Sequence, residues 1–283
     1  MESTRQAAQA AAFRQLHQGP RILVLPNAWD AASARVFEAL GFPAVATTSA
    51  GVANALGYPD GEHLPLDDLL TVIRWITRTV RIPVTADVEA GFGQTADEVV
   101  GVVKRVIAAG AVGINLEDST GPADNPLAEV PVQVAKIKAV RAAAASVGVP
   151  LVINARTDVY LSNVGEPQSR LAHTVQRLNA YRAAGADCLF APGVSDAETI
   201  AALAREVHGP LNILATRGTP SAPELERLGV RRVSVGSGPA RAALTLVRRI
   251  GQELLATGTY TSFTEGSMTY AEANQLFADF RRS

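Results

Sequence analysis

Cysteine is nearly absent from this 283-residue chain. Cys188 stands alone, so neither an intramolecular disulfide nor a cysteine-rich zinc site can form, and a reducing, cytoplasmic setting is expected. An excess of charge is missing as well. Twenty-six basic residues face 27 acidic ones, a formal net charge of -1 with no block of one sign, which excludes the electrostatic footprint of a nucleic-acid binder. The four histidines, His17, His63, His173 and His208, are scattered without metal-ligand spacing, and none is given a catalytic role. Nor is there a membrane-length apolar run. The longest uncharged stretch, Ala39 to Pro59, carries two prolines and several Gly, Thr, Ser and Asn residues, whose backbone lipid could not satisfy. Glu2, Arg5 and Arg14 interrupt the alanine-rich start, so it reads as a helix and not as the apolar core of a secretory signal.

What is abundant is apolar material, at 47% of residues against 19% charged, enough for a sizeable core. It is concentrated in eight short runs, beginning at Ile22, Ala44, Pro83, Val112, Pro150, Asp187, Leu211 and Arg232. Segments of helical spacing lie between them, for example Ala96 to Ala109, Val132 to Ala145, Arg170 to Ala184 and Ala197 to Val207. Strict strand and helix alternation implies parallel strands with helical crossovers, and eight such units in about 250 residues is the size of a (β/α)8 TIM barrel. The alternative, an open doubly wound sheet, lacks its Gly-rich fingerprint, because Pro26-Asn27-Ala28 follows the first strand. The barrel with its N-terminal helix is assigned to residues 1–258 and a helical tail, packing on the barrel or on a partner, to 259–283. A last helix is expected from Thr269 to Phe280.

In such a barrel the reactive face lies at the C-terminal strand ends, and these are acidic. The third run ends Asp87-Val88-Glu89, the fourth Glu117-Asp118 and the fifth Arg156-Thr157-Asp158. Alternation sends Asp87 and Glu89 to one side. With Glu117 they would repel one another unless a cation sat among them, and an all-oxygen set suits Mg²⁺ or Mn²⁺; the alternative is that they cap helices or pair with rim cations. Arg156 beside such a cation can clamp a carboxylate or phosphonate bidentately, or else pair with Asp158 or Asp187. Thr47 to Gly51 offers small residues and backbone N–H groups to an anion, or is an ordinary loop. Asp60 lies in a turn near the same mouth, Cys188 inside a strand as a structural thiol, and Gly236-Ser237-Gly238 offers a weak phosphate-cradle signal.

Several ordered motifs together carry a resemblance: Pro26-Asn27-Ala28-Trp29-Asp30-Ala31; Thr47-Thr48-Ser49 with Leu56-Gly57-Tyr58-Pro59-Asp60; Asp87-Val88-Glu89-Ala90-Gly91-Phe92-Gly93; Gly113 through Glu117-Asp118; Ala155-Arg156-Thr157-Asp158; Ala184-Gly185-Ala186-Asp187; and Asn212 with Thr219-Pro220. The set resembles the isocitrate lyase/phosphoenolpyruvate mutase superfamily. This resemblance implies a barrel with its eighth helix exchanged between subunits, a homodimer or homotetramer, and Mg²⁺ binding a small 2-oxo acid or dicarboxylate. By motif position it makes Asp87, Glu89 and Glu117 the metal set, and Thr48, Ser49, Ala50, Arg156 and Asn212 the substrate contacts. Asp60, Arg156 and Glu117 become the catalytic residues.

The loop after Glu117-Asp118 departs from the best-known members. Ser119 to Pro126 holds no Lys, Cys or His, where the lyases of isocitrate and methylisocitrate carry K-K/R-C-G-H, and Pro192 and Ala215 replace a mutase histidine and a lyase glutamate. The expected function is therefore a Mg²⁺-dependent lyase or decarboxylase acting at C3 of a small 2-oxo acid or substituted malate through a pyruvate-like enolate. The alternatives are P–C cleavage or rearrangement of a phosphonopyruvate, and a non-catalytic barrel that binds 2-oxoglutarate or oxaloacetate.

Overall fold

The computed structural model describes residues 2–121 and 126–278. All eight apolar runs are strands. The first is interrupted at Pro26, which has no N–H for a ladder, and so gives β1 (Leu23–Leu25) and β2 (Asn27–Ala28). After them come β3 (Val45–Thr47), β4 (Val84–Asp87), β5 (Gly113–Glu117), β6 (Val152–Arg156), β7 (Cys188–Ala191), β8 (Leu211–Leu214) and β9 (Arg232–Ser234). Each pairs in parallel with the next, β2 pairs with β3, and β1 pairs with β9. One run thus carries both seams and closes a (β/α)8-type barrel.

The helices are α1 (Glu2–Leu16), α2 (Ala31–Ala39), α3 (Ser49–Ala55), α4 (Leu66–Thr79), α5 (Ala96–Ala108), α6 (Val130–Ser146), α7 (Arg170–Ala183), α8 (Ala197–Glu206), α9 (Ala222–Arg227), α10 (Gly238–Ala256), α11 (Thr261–Thr264) and α12 (Tyr270–Gln275). In α5 the logic is local and then tertiary. Thr95 and Glu98 form a reciprocal capping box that starts it, and Val99, Val102, Val103, Val106 and Ile107 bury one face. Each such side chain contributes about 1.5–3 kcal/mol relative to exposure.

Residues in register across parallel strands share a side of the sheet. Thr85, Gly113 and Val152 form one such row, and Asp87, Asn115, Asn154 and Cys188 the next. Glu117, Arg156, Phe190, Asn212 and Arg232 form a third. The lumen is therefore strongly polar. Its floor is closed by α1, where Phe13 is fully buried and a Cβ on Gly113 would lie 2.9 Å from the Phe13 ring, so only glycine fits at that strand position. Gln6 Nε2 ties α1 down by donating to the Ile107 and Ala111 carbonyls.

One helix has little to cover. Of α10 only Ala240 is buried, and Leu244, Val247 and Leu255 are 52%, 64% and 91% exposed. Conversely Val24, on the outward face of β1, is 37% exposed. It opens on a groove of about 670 Å³ lined by Leu16, Ile22, Leu40, Phe42 and Pro43. The tail returns toward the barrel through Arg35 Nε, which donates to the Leu276 carbonyl at 2.6 Å. Its last helix is shorter than the expected Thr269 to Phe280, and residues 279 and 280 lie outside the described residues. Among the described residues no helix is long and apolar enough to cross a membrane.

Candidate active site

The carboxylates expected to converge are brought together at the mouth of the lumen. Asp87 ends β4, and the chain then turns. The strand does not continue to Glu89, whose φ is +50°, so a left-handed turn and not alternation places its carboxylate beside that of Asp87. Gly91 N donates to the Val88 carbonyl and closes this turn. Glu89 is nearly buried and its pKa is pushed up to about 8, first by burial and then by the charges of Asp87 and Asp60. The exposed loop aspartate Asp60 is thus within electrostatic reach of the cluster. Burial raises Glu117 as well, with Asp158, Asp87 and Glu89 adding to it and Arg156 opposing. Among the described residues no group of three or more His, Cys, Asp and Glu side chains is arranged to hold a metal ion by itself.

Arg156 is held on two sides. Its Nε and Nη2 donate to the two carboxylate oxygens of Asp158 at 2.5 and 2.7 Å, and its Nη1 lies 2.7 Å from Glu117 Oε2. Burial works against its charge, but Glu117 and Asp158 outweigh that and raise its pKa. The ion pair with Asp158 is one of the alternatives open in the sequence. Asp187 instead joins Arg14 and Arg141. Phe190 lies under the guanidinium at 5.8 Å, a cation–π distance. Two of the five guanidinium N–H groups are thus hydrogen-bonded to Asp158. Nη1 meets Glu117 as an ion pair without hydrogen-bond geometry, and Glu117 Oε2 keeps no hydrogen-bond partner. The other N–H groups can donate to a ligand.

The small-residue segment contributes backbone. Thr48 caps α3, its side chain accepting from Gly51 N, and Ser49 N donates to Asp87 Oδ2 at 3.1 Å. Ala50 lies in the first turn of that helix. Asn212 is fully buried in the lumen, in register with Phe190, and its amide exchanges hydrogen bonds with the Ser234 hydroxyl. The phosphate-cradle signal does not hold, because Asn27 Oδ1 already accepts from Val235 N and Gly236 N, and Gly238 N donates to the Val235 carbonyl. Cys188 is fully buried and burial pushes its thiol up to about 11, so it stays protonated.

Other residues hold the site without standing out in the sequence. Glu62 N donates to Glu89 Oε2, and Glu62 Oε1 accepts from Phe92 N. Lys136 on α6 donates to the carbonyls of Ala90 and Gly93, pinning the turn that carries Glu89. Asp118 is a hub: its carboxylate accepts from Thr157 Oγ1, Asp158 N, Arg177 Nη1 and Tyr181 Oη. Of these, Asp118 is already visible beside Glu117 in the acidic strand ends, though not as a hub, whereas Lys136 and Glu62 carry no signal in the sequence. Beyond the hub, Thr120 N donates to the Pro126 carbonyl and Ser119 bridges Leu127, which draws together the two ends of the loop whose residues 122–125 are outside the described set.

The sequence matches the phosphoenolpyruvate phosphomutase family over residues 13–255. The chain belongs to that family. It is thereby a member of the PEP mutase/isocitrate lyase superfamily. A candidate lyase/mutase from Burkholderia cenocepacia J2315, known as a crystal structure, is 41% identical with a TM-score of 0.91 over 97% of each chain. Oxaloacetate decarboxylase of Pseudomonas aeruginosa is 33% identical over 83% of this chain and 81% of its own length. A phosphonopyruvate hydrolase, solved with oxalate and Mg²⁺, is 27% identical with a TM-score of 0.84, covering 96% of this chain and 95% of its own. Family membership makes the chain an enzyme of lyase or mutase type.

Proposed function

We propose that this family member is a divalent-cation-dependent lyase or decarboxylase that breaks a bond at C3 of a small 2-oxo acid. The observation that carries the reading is the carboxylate set of Asp87, Glu89 and Glu117 lying beside the partly committed guanidinium of Arg156. The donor set fits Mg²⁺ or Mn²⁺: it is all oxygen, and Glu117 Oε2 is a buried carboxylate oxygen with no hydrogen-bond partner. Asp87, Glu89 and Glu117 would hold the ion, which supplies Lewis-acid stabilisation of negative charge on the oxo-acid oxygens.

The chain's own groups account for orientation. The N–H groups of Arg156 that Asp158 does not take would donate to a substrate carboxylate, and the first turn of α3 at Ala50 would add a backbone donor beside it, Ser49 N being already bonded to Asp87 Oδ2. In a decarboxylation the C3–C4 bond breaks, carbon dioxide leaves, and the electron pair moves through C3–C2 onto the C2 oxygen. Charge developing there is met by these preorganised donors. A proton then returns to C3. No Lys, Cys or His stands in Ser119 to Pro126, so water is the donor in this reading, and efficient release of glyoxylate from isocitrate is not expected. A coupled glyoxylate assay checks that directly. Carbon–phosphorus chemistry on a phosphonopyruvate is the second reading, favoured by the phosphonopyruvate hydrolase likeness.

The deciding experiment is calorimetry with oxaloacetate, 2-oxoglutarate, substituted malates and phosphonopyruvate, with and without Mg²⁺, followed by turnover of whatever binds. Cation-dependent binding with release of carbon dioxide or pyruvate supports the lyase reading, phosphate release the second, and binding without any product a barrel that only holds 2-oxo dicarboxylates. Arg156→Lys is expected to weaken oxo-acid binding by about 1.5–3 kcal/mol, the range for a hydrogen bond to a charged group, because ammonium cannot reproduce the planar fork. Affinity for Mg²⁺ alone should change little. Undiminished oxo-acid affinity would leave Arg156 as an ion-pair partner of Asp158 and Glu117 only.

A second copy of the chain completes this reading. A barrel short of cover at Val24 and a helix with an uncovered apolar face occur in the same molecule, and exchange of α10 between two copies satisfies both. Leu244→Asp with Val247→Asp should convert the oligomer to monomer in light scattering; an unchanged mass would reject α10 as the joining element.

A further inference from the structure

Below the acidic mouth, the lumen holds a cation that no acid neutralises. Arg232 on β9 is fully buried, and among the described residues no carboxylate lies within ion-pair distance of it. Its Nε and Nη1 have no hydrogen-bond partner, and burial pulls its pKa down to about 10. An unpaired buried charge is costly, and an apolar side chain of the same length would relieve that cost. The one acceptor it has is Asn115 Oδ1, at 3.3 Å from Nη2.

Asn115 is the informative partner. Its Oδ1 also accepts from Asn154 Nδ2 at 2.7 Å, so two donors converge on one oxygen. A flipped amide would set its own N–H groups against both of them. The orientation is therefore dictated, and it leaves Asn115 Nδ2 directed at Asp87 Oδ1, 3.5 Å away at the outer limit of a hydrogen bond. Asp87 Oδ2 is already bonded to Ser49 N. We propose that Arg232 is a positioning residue for the reaction: acting through Asn115, it fixes the rotamer of Asp87. Arg232 touches neither substrate nor cation. This rests on the reading of Asp87 as a cation ligand.

The test is Mn²⁺ binding followed by electron paramagnetic resonance, without substrate, in the parent chain, Arg232→Met, Arg232→Lys, Asn115→Leu and the Met/Leu double variant. Arg232→Met should weaken Mn²⁺ by about tenfold or more, the usual cost of losing a group that orients a metal ligand, while its thermal midpoint without metal stays equal to the parent's or rises. Arg232→Lys should recover part of the affinity, and the double variant should be no weaker than the weaker single one, since both changes cut the same connection. Parent-like Mn²⁺ affinity in a folded Arg232→Met overturns the proposal, as do additive losses in the double variant. If Arg232→Met does not fold, parent-like affinity in Arg232→Lys together with Asn115→Leu assigns Arg232 a purely structural role, and a loss in Asn115→Leu upholds the connection. A parent chain that binds no Mn²⁺ overturns the functional reading itself, and this inference with it.

Discussion

Asp118→Ala is expected to cost about 3–5 kcal/mol of folding stability, the range for breaking a buried ion pair by removing one partner. The side chain of Asp118 is wholly inaccessible and that of Arg177 is 8% exposed. Without the carboxylate, the guanidinium keeps only the Ala128 carbonyl, the Tyr181 oxygen and His173 Nε2. Burial and the Asp118 charge hold Tyr181 protonated, and its hydroxyl would lose its acceptor too. Asparagine is no remedy. Oδ2 receives three donors and Oδ1 receives Asp158 N, so an amide nitrogen at either place faces another donor. Urea unfolding checks both variants, and a loss below about 1 kcal/mol, the worth of an ordinary hydrogen bond, would show that the hub is dispensable.

The same hub explains why the effect reaches function. Asp118 adjoins Glu117 at the end of β5, and its partners Thr157 and Asp158 N adjoin Arg156 at the end of β6. The two strand ends are therefore locked by a charge that never meets substrate. At low temperature, where Asp118→Asn remains folded, oxo-acid affinity should fall along with stability.

How much of this was legible in the sequence depends on the range of the interaction concerned. Helix α5 could be placed to within a residue because Thr95, Glu98 and the valine spacing act over a few positions. The eight strands were legible because buried parallel strands are continuously apolar. The break at Pro26 was visible as a residue type, but its consequence, two seams on one run, depends on the pairing of β1 with a strand about two hundred residues away. Glu89 shows the limit of alternation. Its left-handed φ is sustained by Glu62 and Lys136, residues distant in the chain, so the right neighbour was reached by the wrong geometry. The orientation of Asn115 is likewise a property of three strands at once. Nor does the amphipathic pattern of α10 show in the sequence that its own barrel leaves most of its apolar face exposed.

Asp87→Ala should separate binding from folding more sharply than any other single change. Asp87 is 7% exposed, accepts Ser49 N and Asn115 Nδ2, and is one of the charges that lift Glu89 and Glu117. Removing it deletes two hydrogen bonds but also relieves like-charge repulsion in a desolvated cluster, so the two effects on stability oppose each other. The thermal midpoint without cation should stay close to the parent's. Cation binding has no such compensation. If loss of a residue that only orients a metal ligand costs up to about a hundredfold, loss of the proposed ligand Asp87 should cost at least that much in Mn²⁺ affinity. A ligand that binds only the folded state raises stability in proportion to the logarithm of its concentration over its dissociation constant. The melting temperature of the parent is expected to rise with Mg²⁺ and oxalate, and that rise should therefore vanish in Asp87→Ala at the same concentrations. Retention of that rise would move the cation away from β4, and Glu117 with Asp158, the two carboxylates that flank Arg156, would then be the pair to replace.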